Sequence, residues 1–412
     1  MYFTKKLRNL NRFGCNNVHP FKMQRNHSIS TEKEIPPNYE LRLEISEEKQ
    51  LKITVLQGNC EVKGQELLLE KTYLFSSIKT FLYTFTGCKI KLEGSYDVMY
   101  MSAQTNVPNI FKFFMSQLSE PTFEKILVIG KGRSTFSTIL TNFFIRLHRK
   151  VLFTDLDPQC SNIIFPGTIS STIVDKLIDY KDGISVYQPL VYFYGNTVLN
   201  NLEYYFLLLQ ELQNAIIKKS HIDIHIFICP NNISDEHFKK ICNIFEINKV
   251  IVVGDERLFS FLEFEPKINI CQSNGYIDAL NDLNYNFENE KISKYFYGSD
   301  NEYTPYSINL KIGTNLSVVS ICEENILPAT ALPLGTVRKA GFGEIKDVRP
   351  SIGSVLAISD SDRRDNVHIS PVIGFFVVNS TDTITKVLAP QSKPPKASFL
   401  IQGDIKYTGD LR

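Results

Sequence analysis

The sequence predicts an α/β protein in which a central parallel sheet with helices is flanked by a small N-terminal β domain and a C-terminal β-rich domain. Three observations support this prediction. The predicted strand Lys125–Ile129 contains a continuous apolar run after its first residue, as in strands buried inside a parallel sheet. Strand-like and helix-like segments alternate from there to about residue 253. Short strands with period-two alternation and glycine turns occupy both flanks.

Length and composition favour a folded chain with more than one domain. The 412 residues exceed what one hydrophobic core usually organises. Hydrophobic residues make up 43% and charged residues 22%, which excludes a largely disordered chain. The formal net charge of +1 argues against a protein that coats polyanions with its whole surface, though not against a local basic site. No stretch approaches the roughly 18 to 20 apolar residues of a membrane span.

The chain begins with a basic segment, which we expect to be a disordered leader over residues 1–35. Residues 1–30 contain no acidic residue, so the remainder holds 39 basic and 44 acidic residues. A basic leader can be a mitochondrial transit peptide, or the start can lie upstream of a true initiation at Met23. The basic residues of the leader are Lys5, Lys6, Arg8, Arg12, Lys22 and Arg25.

The N-terminal β domain is predicted over residues 36–104. Leu51–Val55 and Cys88–Leu92 both alternate between apolar and polar residues, and glycines separate such segments. The eight cysteines of the chain form no close pair, so we expect reduced thiols and no zinc site.

A central domain is predicted over residues 105–305. It opens with a helix near residues 106–120, whose apolar residues recur at helical spacing. The segments that follow give the parallel sheet and its covering helices. The expected strands are Lys125–Ile129, Val151–Thr154, Ile222–Cys229 and Lys249–Val253, and the expected helices are Thr138–His148 and Leu202–Lys218.

The C-terminal β-rich domain is predicted over residues 306–412, because the chain returns there to short strands and turns. The expected strands are Leu310–Ile312, Ser317–Ile321, Gly353–Ile358, Val372–Val378 and Phe399–Ile405.

The turn after the first apolar strand stands where a phosphate-binding loop belongs, between a buried strand and a helix N-terminus. A Walker loop, G-x-x-x-x-G-K-[ST], wraps a phosphate with backbone amides and supplies a Lys and a Mg²⁺-binding hydroxyl. Here the loop is about three residues shorter, and Arg133 stands where the Lys belongs. A glycine turn that binds nothing is the alternative. The loop residues are Gly130, Lys131, Gly132, Arg133, Ser134 and Thr135.

Two carboxylates follow the second strand of the central domain. Asp155 and Asp157 stand at its carboxyl end, which in a parallel sheet faces the ligand crevice. Such a carboxylate can hold Mg²⁺ or orient a hydroxyl nucleophile. The alternative is that Asp157-Pro158 only starts a turn.

The ordered set of short segments along residues 39–407 resembles the Clp family, the ATP-binding subunit of the eukaryotic pre-mRNA cleavage and polyadenylation factor. This family is part of the polynucleotide 5′-hydroxyl-kinase superfamily. The segments that carry the resemblance are Tyr39–Arg42, Phe85–Cys88, Leu156–Gln159, Phe165–Thr168, Pro189–Gly195, Asp255–Leu258, Tyr295–Gly298, Ala331–Gly335 and Val387–Pro390.

The resemblance implies roles for individual residues. Glu40 and Lys79 match residues that reach the adenine, and Ser134 and Thr135 match the loop hydroxyls. Asp157 matches the acidic residue near the metal and the RNA end, so Thr135 and Asp157 are the expected Mg²⁺ ligands. The clasp for the RNA 5′ end corresponds to Pro189, Tyr192 and Gly195. The lid of active relatives supplies arginines, where this chain has Lys291 and Lys294 and no Arg between residues 283 and 298.

These departures predict a degenerate kinase, because phosphoryl transfer depends on positioned positive charge. The expected function is a nuclear, non-catalytic scaffold subunit of the mRNA 3′-end cleavage factor. ATP and Mg²⁺ are candidate ligands of this scaffold, structural rather than turned over, and whether the shortened loop holds ATP stays open. By resemblance, its main partner is the scaffold subunit that reads the RNA polymerase II C-terminal domain, together with other 3′-end processing subunits. We expect the chain to contact pre-mRNA indirectly and not to bind a membrane. The alternatives are an active ATP-dependent RNA 5′-hydroxyl kinase, using Asp157 and Arg133, and a nucleotide switch.

Overall fold

The computed structural model describes residues 30–118, 124–159, 162–217, 222, 224–231, 233–270, 286–313, 315–321, 345–381, 384–393 and 395–409. Residues 1–29 of the basic leader and the Ala331–Gly335 segment lie outside these ranges. Among the described residues, no helix combines the length and apolar character needed to cross a membrane.

The N-terminal region folds as two β-sheets packed face to face. One sheet has the strand order β1-β8-β3-β6 and the other β5-β4-β7-β2-β9. Their inner faces share one core that includes Leu41, Ile53 and Leu82. The strands are β1 (Ser30–Ile35), β2 (Tyr39–Ile45), β3 (Leu51–Gly58), β4 (Cys60–Val62), β5 (Gln65–Leu67), β6 (Thr72–Phe75), β7 (Ile78–Thr84), β8 (Cys88–Gly94) and β9 (Val98–Ser102).

The end of the predicted leader belongs to this sandwich. Ser30–Ile35 pairs antiparallel with β8, from Ser30 opposite Glu93 to Ile35 opposite Cys88. Ile35 is buried, although the rest of the strand is largely exposed. The expectation that disorder extends to residue 35 is therefore wrong for these six residues, because one buried side chain and a complete backbone ladder order a polar segment.

The central region is a seven-stranded sheet with helices. Its elements are α1 (Val107–Leu118), β10 (Glu124–Gly130), α2 (Arg133–Arg146), β11 (Val151–Asp155), β12 (Thr168–Val174), β13 (Leu190–Phe193), α3 (Leu202–Ile217), β14 (Ile224–Ile228), α4 (Asp235–Phe245), β15 (Lys249–Val253), α5 (Glu256–Phe261) and β16 (Lys267–Ile270). The strand order in the described chain is β13-β12-β11-β14-β10-β15-β16. The five neighbouring strands β11, β14, β10, β15 and β16 are parallel, whereas β12 pairs antiparallel with β11 and β13 pairs antiparallel with β12.

Burial on both faces explains the continuous apolar run in β10. Ile126 and Val128 face the core formed with α1 and α2, whereas Leu127 and Ile129 face the core formed with α3 and α4. All four side chains are fully buried. The predicted parallel sheet with helices on its faces is thus confirmed.

The C-terminal region forms a sheet with one helix packed on it. Its elements are α6 (Asn286–Tyr297), β17 (Tyr306–Leu310), β18 (Ser317–Ile321), β19 (Ile345–Asp347), β20 (Ser354–Ser359), β21 (Val372–Ser380), β22 (Thr385–Ala389) and β23 (Phe399–Lys406), with a 3-10 helix at Arg364–Ile369. The strand order among the described residues is β17-β22-β21-β20-β23-β18-β19. Helix α6 packs on this sheet through Ile292 and Phe296. The predicted strand Leu310–Ile312 is wrong, because the observed strand β17 ends at Leu310.

Candidate nucleotide site

The turn between β10 and α2 is very short. β10 ends at Gly130, and α2 begins at Arg133, with only two residues between them. Gly130 has φ 103° and Gly132 has φ 82°, a backbone region that favours glycine. A Cβ on Gly130 would lie 2.2 Å from the Val253 carbonyl oxygen of the neighbouring strand. The glycines therefore let the chain turn directly from strand to helix.

Arg133 folds back into this turn. Its side chain is 1% exposed, and its Nη2 forms an ion pair with Asp157 Oδ2. Its Nη1 donates to the Gly130 carbonyl oxygen at 3.4 Å. The guanidinium thus lies between the end of β10 and the segment after β11, in the interior of the loop.

The carboxylates after β11 are held by their own neighbours. Asp157 Oδ1 accepts a hydrogen bond from the Gln159 amide at 3.0 Å, so both oxygens of Asp157 are engaged. Asp155 is fully buried and accepts from the Asp157 amide at 3.0 Å. Asn162 donates to Asp155 Oδ2 from its amide and its side chain, at 2.7 and 2.8 Å. Burial, followed by the charge of Asp157, raises the pKa of Asp155 to about 6.

The predicted metal and phosphate ligands do not fit Mg²⁺·ATP bound in the Walker manner. That mode needs a cationic side chain directed at the phosphates and a carboxylate available to the metal or its waters. Arg133 and Asp157 instead neutralise each other inside the protein. Thr135 is half-buried on the first turn of α2. The described residues contain no group of three His, Cys, Asp or Glu that could hold a metal.

The two residues expected at the adenine lie apart in the first domain. Glu40 is 2% exposed and accepts a hydrogen bond from Arg42 Nε at 2.6 Å. Burial raises the pKa of Glu40, although hydrogen bonds from Thr105 and Arg42 oppose this. Lys79 instead pairs with Glu44, at 3.1 Å. Glu40 lies opposite Tyr83 in the β2–β7 register, four residues from the Lys79 position, or about 13 Å along the strand.

The clasp residues belong to the far edge of the central sheet. β13 is four strand spacings from β10, or about 19 Å. Tyr192 is buried and donates to the Glu211 carbonyl at 3.4 Å. The Gly195 carbonyl accepts from the Asp404 amide at 2.8 Å, in the C-terminal domain. Pro189 precedes β13, at the opposite end of the strand from Gly195. Gly195 therefore lies at the junction with the C-terminal domain, whereas Tyr192 packs within the central domain.

The lid lysines lie on α6, which is fixed to the C-terminal domain. Ile292 and Phe296 of this helix are buried in the core of that domain. Lys294 Nζ donates to the Lys181 carbonyl at 2.7 Å, and burial lowers the pKa of Lys294. Lys291 lies one turn earlier on the same helix. The helix is thus packed on both the C-terminal sheet and the segment before β13.

Sequence reasoning named Asp155 at the end of a buried strand as a candidate ligand, but it missed the role of Asp155 in supporting Asp157. It also missed Asn162 and Arg42. Asp155 and Asn162 form the hydrogen-bond network behind Asp157, and Arg42 neutralises Glu40. No local pattern marks the contacts of Asn162, because they depend on the path of the turn after β11.

The parallel sheet, the glycine turn after β10 and the helix that follows it define a protein of the phosphate-binding-loop α/β class. Three family models match the chain in order. Residues 34–118 match the N-terminal beta-sandwich domain of polyadenylation factor. Residues 129–298 match the mRNA cleavage and polyadenylation factor CLP1 P-loop, and residues 303–409 match the pre-mRNA cleavage complex II protein Clp1. The chain belongs to the Clp1 family of mRNA cleavage and polyadenylation factors, as the resemblance implies.

Relatives match the chain over nearly its whole length. A protein CLP1 homolog of Anopheles gambiae is 27% identical over 413 residues, covering 92% of this chain and 97% of the relative. The polyribonucleotide 5′-hydroxyl-kinase Clp1 of Homo sapiens is 25% identical over 412 residues, covering 92% and 96%.

Solved structures share the fold. A wild-type Clp1p–Pcf11p complex superposes with a TM-score of 0.78 at 18% identity, covering 92% of this chain and 99% of that chain. A second structure, of an extended interface between Pcf11p and Clp1p, has a TM-score of 0.76 at 18% identity and covers 93% and 100%. The predicted fold class agrees with both.

Proposed function

We propose that this chain is a non-catalytic scaffold subunit of the nuclear mRNA 3′-end cleavage and polyadenylation factor, with a degenerate kinase site. The observation that carries this proposal is the buried ion pair between Arg133 and Asp157. A phosphoryl-transfer site needs its cation at the phosphates and its carboxylate at the metal or the attacking hydroxyl. Here each group neutralises the other, so neither is available for those tasks.

The same ion pair argues against ATP in the loop. ATP as a structural ligand would require Arg133 to leave Asp157, which uncovers a buried carboxylate. One of the solved structures named above is described as giving the structural basis for ATP loss in a glycine-to-arginine point mutant. That description concerns another protein, but it supports the idea that an arginine introduced into such a protein can abolish nucleotide binding.

Mass spectrometry of the nucleotide released from denatured, freshly purified protein tests this part of the proposal. We expect ATP far below one equivalent per chain. Stoichiometric ATP would contradict it and would identify ATP as a structural ligand of the scaffold.

The proposed main partner is the scaffold subunit corresponding to Pcf11p, which is bound to Clp1p in the two solved structures named above. By resemblance, this subunit reads the RNA polymerase II C-terminal domain, so the chain would meet other 3′-end processing subunits and pre-mRNA through it. Co-purification of the tagged chain with this subunit from nuclear extract tests the proposal. Recovery of the chain without it, under conditions that keep the factor intact, would contradict it.

An active RNA 5′-hydroxyl kinase is the second candidate, since similar proteins carry that name. In this case Asp157 would act as base or metal ligand and Arg133 would replace the loop lysine. Transfer of label from ATP to a 5′-hydroxyl RNA distinguishes the two functions.

A further inference from the structure

Two free cysteines meet in the core of the N-terminal β-sandwich. Cys60 begins β4 in one sheet, and Cys88 begins β8 in the other. Strand register brings them together, because Gly58 at the end of β3 lies opposite Cys88 and Cys60 follows Gly58 by two residues. Both side chains belong to the same hydrophobic core, with exposures of 1% and 7%. The pair therefore spans the two sheets.

A hydrogen bond between the two thiols gives them different acidities. This bond, together with burial, raises the pKa of Cys60, whereas the same bond lowers the pKa of Cys88. A hydrogen bond from Thr84 also favours the Cys88 thiolate. The Thr84 hydroxyl oxygen accepts from the Gly87 amide at 2.9 Å, which leaves its proton for the Cys88 sulfur. Cys88 is thus the more nucleophilic thiol, with Cys60 beside it as a proton donor.

A second pair of cysteines, in the central domain, differs in this respect. Cys229 follows β14, and Cys242 lies on α4. Burial raises the pKa of Cys242 to about 12, and burial followed by the charge of Cys242 raises the pKa of Cys229. Both thiols therefore stay protonated near neutral pH, and a protonated thiol is a poor nucleophile.

We propose that Cys60 and Cys88 are a redox pair, which a peroxide converts from two free thiols into a reversible disulfide. The Cys88 sulfur attacks one peroxide oxygen, so an S–O bond forms, the O–O bond breaks and the released hydroxide leaves as water after taking a proton. The Cys60 sulfur then attacks the Cys88 sulfur. The S–S bond forms, the S–O bond breaks, and the departing hydroxide takes the Cys60 proton. The two thiols are oxidised by two electrons, and the peroxide is reduced to two waters.

The disulfide would join the two sheets beside the contact with the central domain. Cys60 is followed by Glu61, whose carboxylate accepts a hydrogen bond from Arg146 of α2 at 3.0 Å. A covalent link at Cys60 fixes the strand that carries this contact. Oxidation should therefore raise the thermal unfolding midpoint of the sandwich, because a cross-link restricts the unfolded chain.

Peptide mass spectrometry of the full, reduced chain after brief treatment with hydrogen peroxide tests the proposal. N-ethylmaleimide in denaturant then blocks the remaining thiols. We expect a cross-link between the Cys60 and Cys88 peptides that has lost two hydrogens and that dithiothreitol reverses, with Cys229 and Cys242 blocked as free thiols.

Serine variants assign the two roles. C60S should leave a sulfenic acid on Cys88, which dimedone traps, whereas C88S should leave Cys60 unoxidised. C242S is the matched control, because it removes a buried cysteine outside the pair and should leave the cross-link unchanged.

Blocking of both Cys60 and Cys88 in the peroxide-treated wild type would overturn the proposal. Oxygen added to Cys88 without the cross-link would overturn it too. A cross-link that forms equally between Cys229 and Cys242 would show that the hydrogen-bonded thiols have no special reactivity. These outcomes are read from the wild type, so they do not depend on the folding of any variant.

Discussion

Arg133 is the residue that most clearly separates this chain from an ordinary phosphate-binding loop. A lysine there extends towards the phosphates, whereas Arg133 is 1% exposed and paired with Asp157. A buried charge is stable only when its partner and hydrogen bonds are present. The arginine therefore takes the charge-neutralising position that a bound cation would otherwise fill beside Asp157.

Removal of Arg133 should be costly because it leaves Asp157 buried without its cation. We expect Arg133→Met to lower the free energy of unfolding by about 3–5 kcal/mol. The double variant R133M/D157N should recover at least half of that loss, as measured by urea unfolding. If the two substitutions are simply additive, the pair is not coupled and its assigned role is wrong.

Asp155 should make stability depend on pH in one direction. Its pKa of about 6 in the folded chain lies above the ordinary carboxyl value near 4. The folded state therefore holds its proton more tightly, and this contribution is present below pH 4 and is lost as pH rises through 6.

Comparison with Asp155→Asn isolates this contribution. Between pH 4 and 7 we expect wild type to lose about 2–3 kcal/mol of unfolding free energy relative to D155N. Urea unfolding across this pH range measures the difference. A pH-independent difference between the two proteins would show that the Asp155 carboxyl titrates normally.

At the scale of single residues, the sequence predicted which residues lie in the loop region better than it predicted which residues their side chains contact. The loop and Asp157 do lie together, because the glycine turn and the strand end are local patterns. Glu40 pairs instead with Arg42, and strand register places Lys79 four residues away. That Glu40 and Lys79 both reach an adenine stays a prediction. Register depends on the whole sandwich, so the short segment around each residue could not reveal it.

Among the elements, α2 joins the central sheet to the first domain. Asn142, fully buried on this helix, donates to the carbonyls of Lys63 and Ile178 at 2.9 and 3.1 Å and accepts from the Ile178 amide at 2.8 Å. One side chain thus forms hydrogen bonds with backbone groups of two segments, at residues outside the strands of the sheets.

Asn142→Ala should lower the free energy of unfolding by about 2–4 kcal/mol, because it leaves buried backbone groups unsatisfied. Thr138→Ala is the control on the same helix, since the Thr138 hydroxyl donates to the Ser134 carbonyl of its own helix. We expect it to cost less than about 1 kcal/mol. Chemical denaturation of both variants checks this. Similar losses in both variants would show that the junction does not depend on Asn142.

Helix existence was more predictable than helix boundaries. The helix predicted at Thr138–His148 starts five residues earlier, at Arg133, with Gly132 as its N-terminal cap residue. The polar first turn, Arg133-Ser134-Thr135, carries no apolar periodicity, so the pattern begins only later. The strand of the first domain at Ser30–Ile35 was missed for the same reason, because its side chains are mostly polar and exposed.

Across the whole molecule, aromatic packing joins the central and C-terminal domains. Phe165, from the turn before β12, stacks on Phe375 of β21 with ring centroids 4.2 Å apart and an interplanar angle of 9°. Tyr295 of α6 packs edge-on against both rings. This cluster makes the kinase-like domain and the β-rich domain one packed unit.

Phe375→Ala should therefore lower the free energy of unfolding by about 3–5 kcal/mol and separate the unfolding of the two domains. Ile373→Ala is the control on the same strand, since Ile373 is 45% exposed. Differential scanning calorimetry measures both the loss of stability and the separation of the two unfolding transitions. A single unshifted transition in F375A would show that the domains are not coupled through this cluster.

At this scale the sequence predicted most of the architecture. The order β, α/β, β and the parallel sheet follow from period-two and continuous apolar patterns, which each segment carries alone. The ion pair of Arg133 with Asp157 instead joins residues 24 apart in sequence. The sequence shows an arginine in the loop, but it does not show that the side chain folds back onto Asp157.

The central claim, that the kinase-like site is degenerate, is tested most directly by incubating the purified chain with labelled ATP, Mg²⁺ and a 5′-hydroxyl RNA, beside D157N. We predict equal, background-level label on the RNA for both proteins. RNA labelled by the wild type and not by D157N would contradict the account, because Asp157 would then have to leave Arg133 and serve catalysis.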